Sequence, residues 1–336
     1  MKLRLKPLDE QVVVITGASS GIGLATAIAA AERGARVVMA ARSIGALRTL
    51  AARIEAAGGQ ALAVEADVSR REDVEHVAAR AIARFGRIDT WVNNAGVSIY
   101  GRLREVDHDE HRRLFDTNFW GVVHGSVVAL RHLSGPGGAL INVGSEVSDA
   151  VVPLQGMYSA SKHAVKGYTD ALRVELADEG VPVSVTLVQP TAVDTPYPEH
   201  ARNRMSAEPK LPSPTIPAVR VADAILDAAT EPARDVRVGG TAVVNSFLSR
   251  VAPRIADLMS SMQVGTQVRD EPPRDPLGAL DRPSEATAAG AGRIRGRGSD
   301  AAASGTARAS IVEADRARAG RDAHASADRG AGAAPR

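Results

Sequence analysis

The sequence predicts a doubly wound α/β domain, a parallel sheet with helices on both faces. Three observations carry that prediction. Short apolar, β-branched runs recur along the first 240 residues, Val12-Val13-Val14-Ile15-Thr16 being the first. Stretches of helical period separate them, and such alternation builds right-handed βαβ units. A glycine-rich turn from Gly17 to Gly23 joins the first run to the first helical stretch, the place where open α/β sheets take up ligands.

The elements follow in order. Val12 to Thr16 reads as a strand buried on both faces, because it lacks polar alternation. Gly21 to Arg33 is amphipathic and stops at Gly34, the residue type that ends helices. Arg36 to Ala40 is the second strand, Ile44 to Ala57 a helix closed by Gly58-Gly59, and Ala61 to Ala66 the third strand. A helix over 71–85 precedes a strand from Ile88 to Val92, which runs into Asn93-Asn94-Ala95-Gly96. One or two helices lie within 107–133. Ala139 to Val143 is a strand reaching Gly144-Ser145, a helix spans 156–178, and Val183 to Val188 is the sixth strand. Six prolines between Pro196 and Pro217 predict an irregular loop or lid. Helical period resumes over 218–230, and a short strand is expected at Val236 to Val238.

Beyond residue 240 the pattern changes. Phe247, Val251, Ile255, Leu258 and Met262 fall on one stripe. The stripe suits docking on the same domain or on a second subunit, or alternatively a membrane surface or partner. Pro253 either kinks that helix or starts a new one. From Arg269 onward there is no aromatic residue and no lysine, and 12 Arg face 10 acidic residues. Such a composition buries too little apolar surface to offset chain entropy. The expected division is therefore a catalytic domain over 8–240, a helical extension over 241–266 and a disordered tail over 267–336.

Composition narrows the function classes. The 41 basic and 39 acidic residues nearly cancel, so no general field favours nucleic acid. The absence of cysteine excludes disulfides, thiolate metal sites and thiol nucleophiles, and no metal site is expected. No apolar run reaches the ~20 residues of a spanning helix, and nothing near Met1 resembles a signal peptide. A cytoplasmic protein without a membrane span is expected.

Several residues carry chemistry. In Thr16-Gly17-Ala18-Ser19-Ser20-Gly21-Ile22-Gly23 the glycines permit a sharp turn, and the following helix offers unpaired N–H groups to a pyrophosphate. The second strand ends Ala40-Ala41-Arg42 without the acid that would bind adenosine ribose hydroxyls, and Arg42 offers a planar fork suited to a 2′-phosphate. NADP(H) is therefore expected in preference to NAD(H). Tyr158 and Lys162 stand four apart, on one helical face. A neighbouring ammonium lowers a phenol's pKa, making the pair a candidate acid/base. Gly17-Ala18-Ser19-Ser20-Gly21 also satisfies the hydrolase Gly-x-Ser-x-Gly elbow, and Ser159-x-x-Lys162 the Ser-x-x-Lys signature, but neither has its partner motifs in this chain.

Together these residues resemble the short-chain dehydrogenase/reductase family, in its standard branch of about 250 residues. The resemblance covers roughly 10–240 and implies a Rossmann-type fold. It implies that Gly17, Ser19, Ser20, Gly21, Ile22 and Gly23 hold the cofactor, that Asp67 and Val68 meet the adenine, and that Asn94, Ala95 and Gly96 line the same site. It implies a catalytic set of Asn118, Ser145, Tyr158 and Lys162, with Ser145 standing 13 residues before Tyr158. In that set Tyr158 is the acid/base, Lys162 lowers its pKa and binds the nicotinamide ribose, Ser145 bonds the substrate carbonyl, and Asn118 holds a relay water. Pro190, Val193 and Thr195 match the segment that touches the carboxamide, whereas Thr191 replaces the usual glycine, where a left-handed backbone would be strained. The function implied is an oxidoreductase interconverting a small-molecule carbonyl and a secondary alcohol, commonly as a homo-oligomer. The alternative is a non-catalytic NADP(H)-binding scaffold.

Overall fold

Seven strands, all parallel, build the sheet that positions the site. They are β1 (Val12–Thr16), β2 (Arg36–Ala41), β3 (Gln60–Glu65), β4 (Thr90–Asn93), β5 (Gly138–Val143), β6 (Val183–Pro190) and β7 (Asp235–Val238). Across the sheet the order is β7, β6, β5, β4, β1, β2, β3. Strand succession therefore reverses between β1 and β4, and a crevice opens there at the carboxyl ends. The computed structural model describes residues 3–240, 242, 249, 251–288 and 290–297.

The helices are α1 (Gly21–Glu32), α2 (Ile44–Ala56), α3 (Arg71–Phe85), α4 (His108–Phe115), α5 (Gly121–Leu133), α6 (Gly156–Asp178), α7 (Ala218–Ala228) and α8 (Pro253–Ser261). On one face Val13 and Ile15 of β1 pack with Leu24 of α1, Leu47 of α2 and Ile225 of α7. On the other, Val12 and Val14 pack with Val77 of α3, Val128 of α5 and Leu172 of α6. Successive side chains of β1 thus enter opposite apolar layers, so the strand lacks polar alternation. Each fully buried valine contributes roughly 1.5–3 kcal/mol.

A buried polar ladder ties the centre of the sheet to α6. Trp91 Nε1 donates to Asn93 Oδ1 at 2.8 Å, Asn93 Nδ2 to Asn142 Oδ1 at 2.9 Å, and Asn142 Nδ2 to Thr169 Oγ1 at 2.9 Å. Its groups satisfy one another, as buried polar groups must.

The stretch expected to hold one or two helices is continuous from α4 to α5 through a π-helical turn at Asp116–Trp120. That turn carries Asn118. The proline-rich segment is irregular apart from a single helical turn, Tyr197–His200, and two short bridges.

The C-terminal part bears on two expectations. Pro253 occupies the first turn of α8, so it starts that helix and does not kink it. Val251, Ile255, Leu258 and Met262 of the apolar stripe are 66%, 55%, 65% and 75% exposed, so the stripe is not docked on the domain; Phe247 lies outside the described residues. The second concerns the tail. Residues 267–288 and 290–296 lie against the domain, with Gln267 and Leu280 fully buried. Composition underestimates this segment because it is held by polar pairing. Arg282 Nη2 bonds Asp275 Oδ2 at 2.6 Å, Arg293 Nη1 bonds Glu199 Oε2 at 2.9 Å, and the Ala279 N–H bonds the His200 carbonyl at 2.7 Å. The rest of the tail, 298–336, lies outside the described residues.

Candidate active site

Every residue expected at the site, apart from Gly23 and Asn118, lines one cavity of about 290 Å³ at the carboxyl ends of the strands. The cavity runs from the glycine turn past Arg42 and Asp67 to Ser145, Tyr158 and Lys162.

Gly23 and Asn118 stand behind it. A Cβ on Gly23 would lie 2.3 Å from the Gly17 carbonyl oxygen and 2.6 Å from Asn94 Nδ2, so only glycine lets α1 approach the turn this closely. Gly17 has φ +69°, and a Cβ there would strike Ala95 Cα at 2.7 Å. Asn94 clasps the turn from below, donating through Nδ2 to the carbonyls of Thr16 at 2.9 Å and Gly17 at 3.2 Å. The Asn-Ala-Gly element thus shapes the turn as well as lining the cavity.

Asn118 is wholly buried. Its Oδ1 accepts from the Val97 N–H at 2.8 Å, and its Nδ2 donates to the Val97 carbonyl at 3.0 Å and to Ser161 Oγ at 3.1 Å. The side chain therefore fastens the loop after β4 to the first turns of α6.

Ser145 follows β5, and its hydroxyl accepts from the Val147 N–H at 3.3 Å. Ser148, the other serine of this loop, is buried beneath it and accepts from the Ser145 N–H at 3.2 Å. Ser145 faces the cavity and Ser148 braces it. Tyr158 and Lys162 share a face of α6, with Lys162 Nζ 5.7 Å from the centre of the Tyr158 ring. Lys162 donates to the Val143 carbonyl at 2.8 Å. Burial lowers the amine to about 8. Burial also pushes the Tyr158 phenol up to about 12, against the opposing pull of hydrogen bonds with Ser145 and Tyr197. The phenol's shift here is set by burial, with Glu146 adding to it and Ser145 and Tyr197 opposing.

At the Arg42 end of the cavity, burial lowers the Arg42 guanidinium, with Asp67 opposing and Arg113 adding to the shift. Burial raises the Asp67 carboxyl, but hydrogen bonds from Arg113 and Ser69 outweigh it and hold the group below its usual range. Arg113 Nη2 lies 2.5 Å from Asp67 Oδ2. Nothing in the sequence linked α4 to the end of β3, and Arg113 was missed. Gln155 was missed as well. Its Oε1 accepts from Tyr197 Oη at 2.8 Å and its Nε2 donates to Gln267 Oε1 at 2.9 Å. The Tyr197 ring meets Tyr158 edge-on at 5.4 Å and Tyr100 at 6.5 Å. Three of the chain's four tyrosines cluster here; their scarcity was the one available signal.

Thr191 follows β6 with no left-handed backbone: among the described residues Leu154 is the non-glycine position with positive φ. Its N–H bonds the Val238 carbonyl at 3.0 Å and its Oγ1 donates to Glu146 Oε2 at 3.2 Å. The room for its methyl comes from Gly239, where a Cβ would lie 2.3 Å from Thr191 Cγ2.

The donor set fits a dinucleotide. The start of α1 and Arg42 supply N–H donors suited to phosphate oxygens, and the cavity continues from them without a break to Tyr158.

Comparison with known proteins agrees with this geometry. The uncharacterized oxidoreductase YxnA of Bacillus subtilis is 46% identical over 286 residues, covering 83% of this chain and 80% of its own. Among solved structures, a short chain dehydrogenase/reductase from Burkholderia phymatum in complex with NAD has a TM-score of 0.66 at 28% identity, covering 82% of this chain and 100% of that one. An alcohol dehydrogenase from Thermococcus sibiricus complexed with 5-hydroxy-NADP has a TM-score of 0.60 at 28% identity, covering 68% and 94%. The family model described as short chain dehydrogenase matches residues 11–206, more than half of the sequence, and the chain belongs to that family.

Proposed function

We propose that this oxidoreductase is NADP(H)-dependent and interconverts a carbonyl and a secondary alcohol, with Tyr158 as the acid/base. The observation that carries the reading is the single cavity joining the glycine turn and Arg42 to Ser145, Tyr158 and Lys162. The Thermococcus sibiricus and Burkholderia phymatum neighbours, crystallised with 5-hydroxy-NADP and NAD, support a dinucleotide. The preference for NADP(H) rests on Arg42 and on the lack of an acid at the end of β2.

The cofactor, when bound, supplies or accepts hydride. Main-chain N–H groups at the start of α1, with Ser19 and Ser20, hold its diphosphate, and Arg42 its 2′-phosphate. Asp67 and Val68 border the adenine, and Pro190, Val193 and Thr195 the carboxamide end. Ser145 donates a hydrogen bond to the substrate oxygen, and Tyr158 exchanges a proton with it. A phenol near 12 keeps its proton at neutral pH, which suits donation to a developing alkoxide during carbonyl reduction. Asn118 acts as a positioning residue through Val97 and Ser161. Val147, Val151, Val152, Leu211 and Met259 give the substrate end an apolar wall. A cytoplasmic homo-oligomer completes the proposal; among the described residues no helix is long and apolar enough to cross a membrane.

A carbonyl and alcohol panel, followed by NADPH and NADH absorbance, tests the reaction class and the cofactor preference together. Tyr158→Phe is expected to abolish turnover while retaining NADPH binding, measured by fluorescence. Turnover in that variant would rule out Tyr158 as the acid/base.

A further inference from the structure

The donors proposed to hold the cofactor's phosphates are engaged by the chain's own C-terminal segment. Arg42 donates through Nη1 to the Leu280 carbonyl at 3.0 Å and through Nη2 to the Ala279 carbonyl. The Gly21 N–H, where α1 begins, donates to the Arg293 carbonyl at 2.9 Å, and the Ser19 carbonyl accepts from the Gly292 N–H at 2.8 Å. Ser284 Oγ lies 3.0 Å from Ser43 Oγ and 3.4 Å from Ser19 Oγ. These contacts span both ends of the adenosine-phosphate half of the cavity, and Ala279 and Ser284 line it.

Two features mark the contact as exchangeable. A guanidinium and a helix-start N–H bond a phosphate oxygen more strongly than a neutral carbonyl, because the bond is then charge-assisted. Leu280 is fully buried with Val97, Ile99 and Leu114, but the segment beyond it is lightly anchored by apolar burial. After Leu280, Ile294 is the one large apolar side chain up to Gly296, and it is only partly buried.

We propose that residues 279–288 and 290–296, seated in this structure, form an intrachain competitor for the phosphate-bearing half of the cofactor and are displaced when the dinucleotide binds. The proposal rests on the NADP(H) reading of the same cavity. Cofactor affinity is then reduced by the fraction of molecules in which the segment is seated. The segment belongs to a part of the chain beyond the family model, which ends at residue 206. The likeness to the Bacillus subtilis oxidoreductase, at 83% of this chain, extends past that end.

Because the chain contains no cysteine, Ser43→Cys with Ser284→Cys introduces a unique thiol pair where the two hydroxyls lie 3.0 Å apart. NADPH binding is measured by fluorescence titration on the full chain, with the bridge formed and then reduced, its formation checked by mass. The bridged form is expected to bind about tenfold more weakly or worse than the reduced form, as when the competent state is a ~10% minority. In the wild-type chain, hydrogen exchange over 279–296 is expected to accelerate on adding NADPH. Equal affinity in the bridged and reduced forms overturns the competitor while leaving the cofactor reading intact. So does slower exchange over 279–296 with NADPH, which would make the segment a cover over bound cofactor. Absence of NADPH and NADH binding in the wild-type and reduced proteins alike overturns both.

Discussion

Gly239→Ala probes how the chain accommodates a threonine at position 191, beside the nicotinamide end of the cavity. Gly239 has φ +108°, and an added Cβ would lie 2.3 Å from Thr191 Cγ2 and 3.1 Å from Thr191 Cβ. Two effects act in the same direction. Placing an L side chain at positive φ costs roughly 1–2 kcal/mol, and forcing a methyl into an occupied space costs roughly 1–3 kcal/mol. Together they predict a loss of about 2–5 kcal/mol, or a fall in Tm of about 5–15 °C for a domain of this size. Urea and thermal unfolding of Gly239→Ala, Thr191→Gly and the double variant separate the two. Thr191→Gly in the Gly239→Ala background removes the clash and leaves the backbone penalty, so the cycle should give a coupling of roughly 1–3 kcal/mol. Single-variant losses that add within about 0.5 kcal/mol would refute the idea that Gly239 makes room for Thr191.

Two further outcomes follow from the site. Burial lowers Lys162 from 10.5 to about 8, so between those values the unfolded chain binds more protons and stability rises with pH. Wild type should therefore gain about 3 kcal/mol relative to Lys162→Met between pH 7 and 10.5, and a gap in urea stability that stays constant over that range would contradict the buried amine. Asn94→Ala removes the donors to the Thr16 and Gly17 carbonyls and should cost about 1–2 kcal/mol in stability. The same variant should raise the NADPH KM more than it lowers kcat, whereas an unchanged KM would separate the clasp from the turn.

What the sequence conveyed well was local. The seven strands and the glycine turn were legible because apolar runs and turn residues act over a few positions, and strand ends shifted by only a residue or two at β3, β4 and β6. Most motif residues line one cavity, at strand ends or near helix starts, whereas Asn118 lies in the π-helical turn between α4 and α5. Contacts between distant segments were not legible. Arg113 reaches Asp67 across 46 positions and Gln155 reaches Gln267 across 112, and no periodicity encodes such pairings. The packing of the first part of the tail was not legible for a related reason. A composition poor in large aliphatics rules out an independent core, but residues 267–288 and 290–296 borrow the surface of the domain, Arg293 pairing with Glu199. At the apolar stripe of 251–262, helical spacing predicts a face but not what covers it.

The Tyr158–Lys162 pair illustrates where spacing ends and environment begins. Four residues on a helix guarantee a shared face, and the structure keeps the ammonium 5.7 Å from the ring centre. Proximity alone would lower the phenol. The amine, however, is turned to the Val143 carbonyl at 2.8 Å, and with Lys162 buried and Tyr158 half-buried at the cavity wall, desolvation disfavours their charged forms. Burial therefore moves the two in opposite directions, the phenol up to about 12 and the amine down to about 8. Their separation is wider than in water, so at neutral pH the pair holds a proton on oxygen and a charge on nitrogen more weakly than an exposed lysine would. In the reaction proposed above, a phenol in that state would give up its proton only as negative charge develops on an oxygen beside it, so proton transfer would follow the reduction of a carbonyl.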